Sequence, residues 1–146
     1  MTLAFASNAP KECRFALEEL LFFNPRQKRV RDGILNSVEQ FGQPLVEESG
    51  CGLTVRLGDH AVQTLFAFDR DRRRTAPVGV VLFLRTSPVV LTVIHVAVHP
   101  AYALQGCNGE MGLGIVLVEK VKDIARQIVG VKRVDFFYRQ EVSLRI

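Results

Sequence analysis

No stretch of this 146-residue sequence reaches the ~18 unbroken apolar residues that a membrane-spanning helix needs, so no membrane partner is expected. The N-terminus, MTLAFASNAPKECRF, lacks a basic start followed by a long apolar run, which argues against a secretory signal. Cysteine is scarce: Cys13, Cys51 and Cys107 are odd in number and far apart. That spacing argues against a disulfide framework and leaves no pair placed as zinc ligands. A reducing, cytoplasmic setting is the expectation. The net charge is only +4. It permits an anionic ligand without demanding nucleic acid.

What is present is ordinary for a globular domain, with 48% hydrophobic and 23% charged residues. The length predicts one domain over 1–146 and suffices for a core without staples. Asn8-Ala9-Pro10 reads as a helix start. Cys13, Ala16, Leu17, Leu20 and Leu21 follow at helical spacing. Asn24-Pro25 breaks the pattern. A second helix is predicted over Arg26–Phe41, with Val30, Ile34, Val38 and Phe41 inward, Arg26, Lys28, Arg29 and Arg31 outward, and Gly42-Gln43-Pro44 as its end.

From Leu53 the period shortens. Leu53–Leu57 alternates as a half-buried strand does, and VQTLFAF at 62–68 reads as the next strand. VGVVLFL at 78–84 is almost wholly apolar, as a strand covered on both faces is. VLTVIHVAV at 90–98 is another buried strand. The last three of these runs predict an antiparallel meander. Gly114, Leu117, Val121, Ile124 and Ile128 then mark one helical face, and Gly130 stops it. VKRVDFFY at 131–138 follows a strand and a helix, which predicts a parallel neighbour of the 90–98 strand. The sum is an α+β fold with a mixed, mostly antiparallel sheet flanked by helices.

Between strand and helix lies the segment HPAYALQGCNGEMGLG, with Gly106, Gly109, Gly112 and Gly114. The first N–H groups of a helix have no partner within it and carry the positive end of its dipole. Glycines beside them let an anion approach the backbone, or simply shape a turn. A P-loop is excluded because Ile115 and Val116 stand where Lys and Ser or Thr are needed. A Rossmann fingerprint fits poorly, since the preceding strands read as antiparallel and no acidic residue ends the following one.

PVGVVLFL, LTVIHVAVHPAY and GLGIVLVEKVKDIARQIVGVKRVDFFY, spanning about residues 77–138, resemble the GNAT N-acetyltransferase superfamily. The resemblance implies a GNAT-like fold that takes acetyl-CoA as co-substrate and transfers the acetyl group to a small-molecule or peptide amine. By position it implies that Val96, Ala97 and Val98 meet pantetheine and the thioester. It implies that Gly109, Glu110, Met111, Gly112, Leu113 and Gly114 cradle the pyrophosphate, and that the N-terminal helices wall the acceptor pocket.

The chain departs from the family pattern at named places. Gly109 stands where Arg or Gln is usual, and the loop is about five residues longer. Ile94 occupies the position of a frequent glutamate base. The chain stops at Ile146, before a further helix and two strands. These departures motivate a second expectation, an inactive GNAT-like binding or assembly module. EVSLRI at 141–146 would then pair with a second copy to cover an exposed edge, giving a homodimer.

His95 and Tyr138 are the candidates for proton transfer, because histidine titrates near neutrality and a phenol can protonate a thiolate. A hydrogen-bonded structural histidine is the alternative for His95, and packing with a polar tip in water is the alternative for Tyr138 and Tyr102. His99 before Pro100 reads as a turn residue. Arg70, Arg72, Arg73 and Arg74 form a basic tip, expected at the same end of the sheet as Val98. Without interleaved aromatic residues this tip makes a poor nucleic-acid platform.

Overall fold

A computed structural model describes residues 2–22, 40–60, 62–72, 76–102, 112–137 and 143–145. Its centre is a six-stranded sheet in the order β1-β4-β5-β6-β7-β8. The strands are β1 Leu3–Ala6, β4 Gln63–Asp69, β5 Gly79–Ser87, β6 Val90–Val98, β7 Arg133–Phe136 and β8 Ser143–Arg145. β2 Pro44–Ser49 and β3 Gly52–Leu57 form a separate antiparallel hairpin. Among the described residues there are two longer α-helices, α1 Arg14–Phe22 and α2 Leu113–Gln127. The mixed, mostly antiparallel sheet flanked by helices is the α+β architecture that the periodicities predict.

Strand parity divides the core. Leu82 and Val80 of β5 pack with Leu17, Leu20 and Leu21 of α1 and with Leu53, Val55 and Leu57 of the hairpin. Val81 and Phe83 face the other way, toward Leu113, Leu117, Val121 and Ala125 of α2. β5 is therefore covered on both faces, which is why its sequence carries no polar alternation. α2 puts its 3.6-period stripe on the sheet and ends before Gly130, whose φ of +92° favours glycine.

The meander β4–β5–β6 is antiparallel, and β6 pairs with β7 in parallel, with α2 between them in sequence. Other expectations are corrected. Asn8 does not cap a helix. Ala9 instead exchanges backbone hydrogen bonds of 3.0 and 2.7 Å with Leu53, and a short 3₁₀ turn, Lys11–Cys13, precedes α1. Most of the predicted second helix falls at 23–39, outside the described residues; Gln40 and Phe41 are helical. Ser143–Arg145 pairs with β7 of its own chain, so the edge assigned to a second copy is covered from within.

Candidate functional site

β6 pairs with β5 along its whole length and with β7 along part of it. Its first half pairs with β7, from Val90↔Arg133 to Val93↔Phe136, and the last link is Phe137 N–H donating to the Val93 carbonyl at 2.9 Å. Beyond it the β6–β7 ladder ends among the described residues, although β5 still holds the other edge of β6 through Leu82↔His95 and Gly79↔Val98.

A bulge in the β5–β6 ladder lies just past Val93. Phe83 stands opposite Val93, but Leu82 stands opposite His95, so Ile94 is an extra residue. Directly opposed residues share a face. Leu82 faces α1, so His95 does too, beside Ile94 in sequence. Simple alternation would have placed these two residues on opposite faces. His95 is only 5% exposed. Burial lowers its pKa to about 4, because a charged imidazole would lose its water. It is neutral at pH 7.

The start of α2 sits beside the far end of β6. Gly112 occupies the N-cap position with no side-chain cap, and its carbonyl accepts from Ile115 N–H at 3.1 Å and Val116 N–H at 3.4 Å. The Leu113 and Gly114 N–H groups precede that ladder and have no acceptor inside the helix. Leu113 buries its side chain completely. Gly114 lies against Val98: a Cβ built on it would stand 3.8 Å from Val98 Cγ2. The structure therefore brings the end of the Val96, Ala97, Val98 run next to the Gly112, Leu113, Gly114 turn. Gly109, Glu110, Met111 and Tyr138 lie outside the described residues, as do Arg73 and Arg74.

The junction between strand and loop is closely tied. His99 N–H donates to the Val78 carbonyl at 2.8 Å, Tyr102 N–H to the His99 carbonyl at 2.9 Å, and Ala101 N–H to His99 Nδ1 at 3.2 Å. His99 is thus the turn residue that its place before proline indicates. Tyr102 does not keep its tip in water. It is completely buried, and its Oη donates to Asp69 Oδ2 at 2.5 Å. Asp69 closes β4 in the same row as Leu3 of β1 and is itself 3% exposed. Nothing in DRDRRRTAP sets this one acid apart from its charged neighbours. Arg70 follows it, at the end of the sheet where Ala67, Gly79 and Val98 align, as expected of the basic tip.

A cleft of about 490 Å³ opens elsewhere, past the end of β1 on β4. Asn8, Glu47, Arg56, Gln63, Thr64 and Phe83 help line it, and none of the candidate residues does. Among the described residues no helix is long and apolar enough to cross a membrane.

No protein-family profile matches the chain, and no curated protein matches it. Comparison with solved structures finds similarity to a protein of the GNAT family from Desulfovibrio desulfuricans, assigned as an acetyltransferase. Identity is 18%, the match covers 92% of this chain and 72% of the other, and the TM-score is 0.48.

Proposed function

We propose that this chain is an acyl-CoA-dependent N-acyltransferase that moves an acetyl group from acetyl-CoA to a small-molecule or peptide amine. The observation that carries the reading is the first turn of α2 seated against Val98, at the end of a strand that pairs with β7 only as far as Val93 among the described residues. An extended amide arm fits along a strand edge beyond the end of its ladder, and a pyrophosphate fits a helix start whose first N–H groups have no acceptor within the helix. In this reading Val96, Ala97 and Val98 hold the pantetheine, while the segment from Gly109 to Gly114 holds the phosphates.

The amine nitrogen attacks the thioester carbonyl directly. A C–N bond forms, and the carbonyl oxygen gains charge against backbone N–H groups of the Val96–Val98 run. The C–S bond then breaks and sulfur leaves as a thiolate. His95 takes the proton from nitrogen, and Tyr138 returns one to sulfur. A buried imidazole with a pKa near 4 is a weak base for a free ammonium. It suits an amine that enters neutral and turns acidic as it bonds to carbon.

The test is release of free CoA from acetyl-CoA across a panel of primary amines and peptide N-termini, with mass detection of the acetylated product. Acetylated amine formed in step with CoA supports the proposal. Tight CoA binding with no transfer to any amine would contradict it.

A further inference from the structure

We propose that Asp69 and Tyr102 are positioning residues whose hydrogen bond holds the turn that leaves β6, and through the buried cluster that Tyr102 shares with Leu113 the first turn of α2, in a ligand-ready place. That the ligand is CoA rests on the acyltransferase reading. The anchoring itself does not.

Burying a carboxylate and a phenol is costly unless both are satisfied. Here the pair is only 3% and 0% exposed, and it joins residues 33 apart in sequence. Asp69 is held in turn. Its Oδ1 accepts the Asp71 N–H at 3.0 Å, the Asp71 carboxylate accepts the Thr2 N–H at 2.7 Å, and Arg70 N–H donates to the Thr2 carbonyl at 2.9 Å. A chain of hydrogen bonds therefore runs from β1 through the end of β4 to the turn that leaves β6. Tyr102 belongs to the same buried cluster as Leu113 and Leu117. One side chain thus joins the end of β4, the turn that leaves β6 and the buried cluster on which α2 packs. An apolar residue would fill the space, but only a directional bond fixes where the turn stands along β4.

The experiment compares wild type with Tyr102→Phe, Asp69→Asn and a control, Leu57→Ala, which opens the core under the β2–β3 hairpin. CoA affinity is measured by calorimetry well below every melting temperature. In parallel, amide exchange is followed at Ile115 and Val116, the two N–H groups bonded to the Gly112 carbonyl. Tyr102→Phe is expected to weaken CoA binding about tenfold and to speed exchange at those two amides about tenfold. Leu57→Ala should lower the melting temperature and change neither readout. Asp69→Asn should stay within about threefold of wild type, because its carboxamide can donate to the phenol oxygen while accepting from Asp71 N–H. Wild-type affinity in folded Tyr102→Phe would overturn the proposal. If wild type binds no CoA, the acyltransferase reading falls, and exchange alone decides: unchanged protection at Ile115 and Val116 in Tyr102→Phe overturns the anchor, and faster exchange upholds it.

Discussion

A Cβ added to Gly79 would stand 2.9 Å from Leu113 Cδ2 and 3.0 Å from Leu117 Cδ1. Gly79 is therefore the place where α2 comes down onto β5, level with Val98 across the ladder. The helix start reaches the far end of β6 because this glycine leaves room for two leucines. Gly79→Ala is expected to destabilise the fold by about 1–3 kcal/mol, the usual cost of overpacking, since the leucine tips must shift. It should also weaken CoA binding by lifting the first turn. Denaturant unfolding and calorimetry on one sample check both.

Gly114→Ala separates ligand contact from folding. Among the described residues a Cβ there meets only Val98 Cγ2 within 4 Å, at an ordinary van der Waals distance of 3.8 Å. Alanine is the better helix former by up to about 1 kcal/mol, so stability should hold or rise. CoA affinity should fall about tenfold if phosphate approaches that backbone closely. The comparison of melting temperature with dissociation constant reads this directly.

His95 predicts a pH dependence of stability. Its folded pKa is about 4 against an ordinary 6.5. Between these values the unfolded chain binds the proton and the folded chain does not, so stability falls as pH drops through that window. The loss is about 3 kcal/mol, complete near pH 4 and absent above about pH 7. His95→Gln should flatten this part of the curve. Denaturant titrations of both proteins at pH 7, 5 and 4 measure it.

Tyr138→Phe should slow acetyl transfer about a hundredfold, the lower range for losing a general acid. CoA affinity should be unchanged. Single-turnover transfer rates beside equilibrium binding test that split.

Much of this architecture is legible in the residues. The unbroken apolar run of β5 signals cover on both faces. The Leu117, Val121, Ile124 stripe marks the helix, and the strand–helix–strand order implies the parallel pair β6–β7. The bulge at Ile94 is not legible: in VLTVIHVAV every neighbour is apolar except Thr92 and His95, so nothing marks a change of parity. β1 and β8 are too short to show a period. β2, PLVEES, is exposed over most of its length and has no apolar alternation to read. The candidate site divides in the same way. Gly112 and Gly114 announce a helix start through their chemistry. The Asp69–Tyr102 bond spans 33 residues, and only the folding of β4 against the β6 exit brings the two together.

The most direct measurement is a calorimetric titration of the purified chain with acetyl-CoA, with desulfo-CoA and ADP as comparisons. Micromolar binding of both CoA compounds is expected, with much weaker binding of ADP, which lacks the arm proposed to lie along Val96–Val98. No heat of binding at millimolar acetyl-CoA would contradict that expectation.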